Sequence, residues 1–362
     1  MKNKKLFKEA LMRWHRKENK RMMPWKGEKE PYKVWLSEII LQQTRVEQGW
    51  SYYEKFVTAY PAITDLANAK DEDVFKLWEG LGYYTRCKNL LHTARCINEK
   101  YAGQFPSDYN SILNLKGIGA YTASAIASFC FNLPYAVVDG NVLRVLSRYF
   151  GVDIPVDTSE GKNYFTHLAN LCLDKKEPGE YNQSIMDFGA TICKPAPLCN
   201  ICPLRISCVA FNKNKISILP VKLKKPRKRE RWFSYFIFIY NEKKFVRQRS
   251  AKDIWQNLYE FYLFESVADP VWNNQKIKKY LLTDLNIKEF KSTNIIKAQP
   301  QTLTHQQLFG YFIVVKLNGN PASFEKLNGE WLSQNEIKAK AFPRFLHQYI
   351  SAKNALPQVL SF

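Results

Sequence analysis

Two carboxylates and four cysteines in this chain stand where they could do chemistry. Glu38 lies in WLSEIILQQT, with Val34, Trp35, Leu36, Ile39, Ile40 and Leu41 around it. A carboxylate among so many apolar neighbours is either paired or driven towards its neutral form. A carboxyl group with a raised pKa suits a general acid at neutral pH. Asp139 follows the apolar run Tyr135–Val138 and precedes Gly140, Asn141 and a helical pattern. Two readings of it stand side by side: an N-cap for that helix, or an anion presented to a nearby site.

The cysteines are spaced Cys193-x5-Cys199-x2-Cys202-x5-Cys208. Four thiolates this close can surround one metal centre, and both zinc and a [4Fe–4S] cluster take four Cys. A single C-x2-C flanked by longer arms leans towards the cluster. Bound metal would pin the loop between Cys202 and Cys208, which carries Arg205, against a partner surface. The other cysteines, Cys87, Cys96, Cys130 and Cys172, sit at apolar helical positions and read as reduced core thiols. With no export signal, thiols crowded in this way argue for metal rather than disulfides and place the protein in the cytoplasm.

Between two helical patterns lies LKGIGA. Gly117 and Gly119 permit positive φ and close backbone approach, and a helix starting near Ala120 offers free N–H groups at its positive end. Such a turn binds a DNA phosphate without reading sequence.

These groups need elements to hold them. Residues 1–212 read as a helical domain, with apolar residues at three- and four-residue spacing through Val34–Leu41, Val74–Leu81, Thr122–Phe129 and Val142–Phe150. Asp71 and Asp108 are candidate N-caps. Residues 213–230 read as a basic linker, since nine of the twenty residues Asn212–Arg231 are Lys or Arg. Residues 231–362 read as an α+β domain: RWFSYFIFIY and KKFVRQR as a hairpin across Asn241–Lys243, further strands at Leu258–Phe264, Ile277–Leu282 and Tyr311–Leu317, and helices at Ser333–Ala339 and Arg344–Lys353. The chain of 362 residues carries 54 Lys and Arg against 33 Asp and Glu, net +21. That surplus points to a polyanion, with nucleic acid ahead of membrane. No apolar run reaches the roughly 18–20 residues a membrane span needs, and the N-terminus is an amphipathic basic helix without a signal-peptide core.

Taken together, RMMPWK (21–26), WLSEIILQQT (35–44), EGLGYYTR (79–86), LKGIGAYTASAIAS (115–128), VVDGNVLRVLSR (137–148), YNQSIMDFGATIC (181–193) and the cysteine cluster resemble the helix–hairpin–helix DNA glycosylase superfamily, and within it the adenine DNA glycosylases of the MutY type. The resemblance spans essentially the whole chain. It implies a multi-domain protein: an all-α glycosylase domain holding a [4Fe–4S] cluster on Cys193, Cys199, Cys202 and Cys208, then an α+β Nudix-like domain. It also implies a partner, duplex DNA with adenine opposite 8-oxoguanine, met by a monomer.

Residue by residue, the resemblance makes Glu38 the acid that protonates adenine and Asp139 the carboxylate facing the sugar. Tyr121 matches a position near the sugar, and Asn141 one beside the carboxylates. Arg21, Trp25 and Gln183 match positions lining the pocket for a flipped adenine. Gln43, Thr44, Leu81 and Tyr83 match positions that touch 8-oxoguanine and the gap in the stack. Thr304 and His305 match a loop reading 8-oxoguanine, with Leu303 and Thr304 as substitutions in the family's Phe-Ser-His. Gly117 and Gly119 match the phosphate turn. There are departures. The first cysteine gap is five residues where the family usually has six. A Glu-rich Nudix catalytic box is lacking. Tyr121 stands where strand-cleaving endonuclease III relatives carry lysine, which implies a monofunctional glycosylase; Leu143 likewise replaces a lysine found in some relatives.

Overall fold

Glu30 opens the helix that carries Glu38. Its side chain accepts from the backbone N–H groups of Tyr32 and Lys33, and Pro31 takes the first helical position, where its missing N–H costs nothing. The resulting helix, Pro31–Leu41, is buried almost throughout from Tyr32 to Ile40, Glu38 included. The computed structural model describes residues 2–223, 228–319 and 322–351. It divides the chain into two units: Met1–Ala69 with Lys88–Lys225, and Lys70–Cys87 with Pro226–Phe362.

The first unit is helical. Its core gathers Phe7, Leu11 and Trp14 of the N-terminal helix Lys2–Lys17 against Val142, Val145 and Tyr149 of Gly140–Phe150 and Tyr181, Ile185 and Phe188 of Pro178–Thr191. Asp108 caps Tyr109–Leu113 by accepting from Ser111 N, as expected. The hairpin then turns through Gly117 into Ala120–Phe131. Gly117 has φ 80, and a Cβ there would sit 2.7 Å from Asn89 Cβ, so both conformation and space require glycine. Thr93 holds the turn by donating to Lys116 O at 2.7 Å. No helix among the described residues is long and apolar enough to cross a membrane.

The second unit is built on a mixed sheet. Its strands are β1 (Arg229–Tyr240), β2 (Lys243–Gln248), β3 (Tyr259–Glu260), β4 (Tyr262–Ser266), β5 (Phe290–Lys297), β6 (Gln301–Thr302), β7 (Gln306–Leu317) and β8 (Glu330–Leu332). The main path is β3-β2-β1-β7-β5, with β4 on β1, β6 on β7 and β8 on β2. β1 and β7 pair in parallel from Arg229↔Gln306 to Ile239↔Lys316. β1 and β2 close around Asn241 and Glu242, both left-handed (φ 46 and 61), as a two-residue hairpin loop requires. Alternation along the strands sends Phe236, Phe238, Ile313 and Val315 to one face, where Ile277 and Leu281 pack. It sends Tyr235 and Phe312 to the other, against Phe345 of the helix Arg344–Ile350.

Several expectations are corrected. Ile277–Leu282 is not a strand but part of the helix Asn274–Thr283. Asn273 caps it by accepting from Lys276 N at 2.8 Å, and Ile277 and Leu281 share one face at i, i+4. The strand expected at Leu258–Phe264 breaks at the fully buried Phe261 into β3 and β4. β5, rich in polar residues, was not expected. Asp71 is the first residue of its helix rather than the cap, which is Lys70. The expected helical domain of 1–212 also included residues 70–87, which here cluster with the strand unit. The acidic first turn of Asp71–Trp78 explains it: Lys340 and the Tyr259 hydroxyl both donate to Glu72, at 2.8 and 3.0 Å. The linker of 213–230 falls in part on 224–227, outside the described residues. Before that break it is pinned, with Arg148 Nε donating to Leu219 O at 2.9 Å and Leu223 N to Asp157. Of the last expected helix, residues 352–353 lie outside the described residues.

Candidate active site

Glu38, Tyr121, Asp139 and Asn141 line one cavity of about 390 Å³ in the helical unit, together with Arg21, Trp25, Thr44 and Gln183. Three helices supply the chemical groups. Glu38 comes from the buried Pro31–Leu41 helix, Tyr121 from the first turn after the glycine hairpin, and Asp139 from the N-cap of Gly140–Phe150. The Tyr121 hydroxyl donates to the Glu38 carboxylate. Burial pushes the Glu38 carboxyl up to about 7; the Tyr121 bond opposes that rise and the Asp139 charge adds to it. Glu38 is 5% exposed.

Asp139 is held differently. Oδ1 accepts from Val142 N at 2.7 Å, which is the helix cap, and Oδ2 accepts from Asn141 Nδ2 at 2.7 Å. Burial raises its pKa, while these donors and the nearby Arg144 guanidinium hold the rise back. The two readings of Asp139 therefore merge: one oxygen caps the helix and the side chain still lines the cavity. Glu38 has the Tyr121 hydroxyl as its donor while Asp139 has several, so the donors favour the charged form more at Asp139 than at Glu38.

Two residues that sequence reasoning did not assign organise this site. Asp187, fully buried, accepts from Arg21 Nη1 at 2.9 Å, Asn19 Nδ2 at 2.8 Å and Gln183 Nε2 at 3.0 Å, with Lys26 Nζ at 3.1 Å. It thereby fixes both Arg21 and Gln183. The available signal was its i+4 spacing from Gln183 on one helix. Arg144 donates to Asn141 Oδ1 at 2.8 Å, Gly189 O at 2.7 Å and Cys193 O at 2.7 Å. The two helices can approach this closely because residue 189 is glycine; a Cβ there would lie 2.7 Å from Asn141 Cβ.

Cys193, Cys199, Cys202 and Cys208 line one small cavity, with Arg148, Arg205 and Phe211. Arg148 binds Lys194 O and Pro195 O at 2.6 and 2.9 Å and reaches Cys193 Sγ at 3.8 Å. Among the described residues no three Cys, His, Asp or Glu side chains stand close enough to hold one metal ion. Gln43, Gly117 and Gly119 do not line the carboxylate cavity. Gly117 and Gly119 form the hairpin turn, and the helix after Gly119 has no side-chain cap. Gln43 is exposed with φ 58. Leu81, Tyr83, Thr304 and His305 belong to the strand unit. There the Tyr83 and Thr304 hydroxyls are 2.5 Å apart, and His305 O accepts from Arg229 N.

Residues 36–164 match the HhH-GPD superfamily base excision DNA repair protein family, and residues 234–352 match the NUDIX domain. The chain is 37% identical over 286 residues to an adenine DNA glycosylase of Buchnera aphidicola subsp. Baizongia pistaciae (strain Bp), covering 76% of this chain and 79% of that one. To the human adenine DNA glycosylase it is 39% identical over 214 residues, 56% of this chain and 39% of that one. Among solved structures, a thermostable thymine-DNA glycosylase superposes with TM-score 0.55 at 28% identity, over 59% of this chain and 98% of that one. Endonuclease III in a non-covalent complex with DNA shares the fold, with TM-score 0.50 at 20% identity over 58% of this chain and 95% of that one.

Proposed function

Because this chain belongs to the adenine DNA glycosylase family of base excision repair enzymes, hydrolases of N-glycosyl bonds, we propose that it excises adenine mispaired with 8-oxoguanine or guanine in duplex DNA and leaves an abasic site. The observation that carries the reading is the pairing of Glu38, with a pKa of about 7, and the better-compensated Asp139 in one cavity. Adenine is a poor leaving group until N7 is protonated. Glu38 in its neutral form supplies that proton. As the base departs, positive charge develops on the sugar, and the ionised Asp139, oriented by Val142 N and Asn141, faces it. Water then completes the hydrolysis.

The flipped adenine enters a cavity whose Arg21 and Gln183 are set by Asp187, beside Trp25, which packs edge-on against Tyr53 at 5.3 Å. The LKGIGA turn takes a phosphate of the adenine strand. Gln43, Thr44, Leu81, Tyr83, Thr304 and His305 meet the opposite base and the gap in the stack. The Tyr121 hydroxyl cannot form a Schiff base, so the strand stays intact after the base is lost.

The four cysteines fit a [4Fe–4S] cluster. All line one cavity, and four thiols are the donor set such a cluster takes, with a single C-x2-C flanked by longer arms. Held by Cys193, Cys199, Cys202 and Cys208, the cluster would supply a cross-link for the 193–208 loop. Iron in the purified protein, with brown visible absorbance, is the expected result; zinc without iron refutes the assignment.

The test of the activity is a duplex with adenine opposite 8-oxoguanine, analysed with and without alkali. Breaks only after alkali are expected. Breaks without alkali indicate lyase chemistry, and an intact duplex in both arms removes the glycosylase proposal.

A further inference from the structure

Residues 79–86 form a turn that is stiff within itself. Trp78 Nε1 and Arg86 Nη2 both donate to Gly82 O, at 3.1 and 3.2 Å, and Arg86 N donates to Tyr83 O at 2.9 Å. The Arg86 guanidinium lies over the rings of Trp78 and Tyr83, 5.1 and 5.5 Å from their centroids. At the far end of this turn Tyr83 is left-handed (φ 49), 43% exposed, and meets Thr304. A non-glycine residue in that region of φ is held there by its surroundings.

At the near end stands Glu79, which closes the helix Asp71–Trp78 as its C-cap. Its carboxylate accepts from Lys76 Nζ at 2.6 Å, Phe342 N at 2.8 Å and His347 Nε2 at 3.2 Å. Burial works to raise its pKa, but the bonds from His347, Lys76 and Phe342 outweigh it and leave the group lowered. Glu79 is thus an ionised, largely covered acceptor with two donors from the 342–347 segment. The second tie of the same helix, Glu72 to Lys340, involves a carboxylate side chain 53% exposed. Exposed pairs of that kind contribute little, whereas removing an acceptor from covered donors is costly. Lys76 Nζ, which Glu79 holds, also donates to Lys340 O at 3.0 Å, so Glu79 stands at the centre of the ties between this turn and the 340–347 segment.

We propose that Glu79 is a positioning residue for opposite-base selectivity: by accepting from Phe342 N and His347 it seats the 79–86 turn on the strand unit and sets where Tyr83 meets Thr304. The inference rests on the proposed reading of 8-oxoguanine by Tyr83 and Thr304. Glu79 touches no substrate atom in this scheme and acts through Tyr83.

The experiment measures single-turnover excision of adenine opposite 8-oxoguanine and opposite guanine for wild type, Glu79→Ala, Glu79→Gln and His347→Ala, with melting curves to establish that each variant is folded. Glu79→Ala should lower the 8-oxoguanine-to-guanine rate ratio about tenfold, the loss expected when hydrogen bonds to a charged group are removed. Glu79→Gln keeps an acceptor oxygen for Phe342 N and His347 and should restore most of the ratio. His347→Ala removes one donor from a partly exposed position and should lower the ratio about threefold; it decides the matter if Glu79→Ala does not fold. A wild-type preference that survives both alanine variants overturns this inference alone. A wild type without preference overturns the reading of 8-oxoguanine and this inference with it.

Discussion

Glu38 in the helical unit is a buried carboxylate and Asp253 in the strand unit an exposed one held by two arginines, and their surroundings treat them in opposite ways. Burial alone would raise Asp253, but Arg231, Ile254 N and Arg249 overcome it and hold the carboxyl far below the usual range. Arg231 Nη2 and Arg249 Nη2 lie 2.6 and 2.7 Å from its Oδ2. The same two arginines bind Glu265 and Glu260 and lie over the Phe233 ring, so each charge in the network has several partners. Glu38 faces a hydroxyl and a second acid instead, and it titrates near 7. An acid matched by several charged donors is a piece of structure; a buried one left short of compensation beside a cavity is a group prepared to move a proton.

The strongest way to break this contrast is Glu38→Gln. The amide keeps the shape and cannot donate the proton. Excision should fall by about a thousandfold, within the span of a lost general acid, while binding to the duplex persists. Gel-shift affinity and single-turnover excision on one preparation check both halves. Retained turnover would return Glu38 to the class of structural acids to which Asp253 belongs.

The Glu38 environment was legible because its apolar neighbours lie within four residues on either side in the chain. The β1–β2 hairpin was legible for the same reason: alternation and a two-residue loop are local signals. Asp187 was not, since its partner Arg21 lies 166 residues away and its i+4 spacing from Gln183 in YNQSIMDFG is the one local mark it carries. The attachment of residues 70–87 to the strand unit depends on Glu79 and residues 263 to 268 positions later. No periodicity encodes such a contact. The helix Asn274–Thr283 was misread because Ile277, Tyr280, Leu281 and Leu282 fit either period over so short a run; the Asn273 cap settles it in the fold.

The smallest effect is the sharpest on sign. Glu38 has a folded pKa of about 7 against an ordinary 4.5. Its folded pKa is raised, so the stability it contributes is present below the unfolded value and is lost as pH rises through the folded one. Above about pH 7 the folded protein must hold an ionised acid in a poor environment, at a cost on the order of 3 kcal/mol. Asp253 works the other way: its folded pKa is depressed, and its contribution is present at neutral pH and lost only as pH falls below the ordinary carboxylate range. Glu38→Gln should therefore be more stable than wild type at pH 8 and nearly equal to it at pH 5, as measured by denaturant unfolding of the two proteins side by side. The same variant that destroys catalysis should strengthen the fold, because catalysis is what the uncompensated charge is kept for. A Glu38→Gln protein less stable than wild type at pH 8 would mean that Glu38 is paired as Asp253 is, and the contrast between the two units would fail.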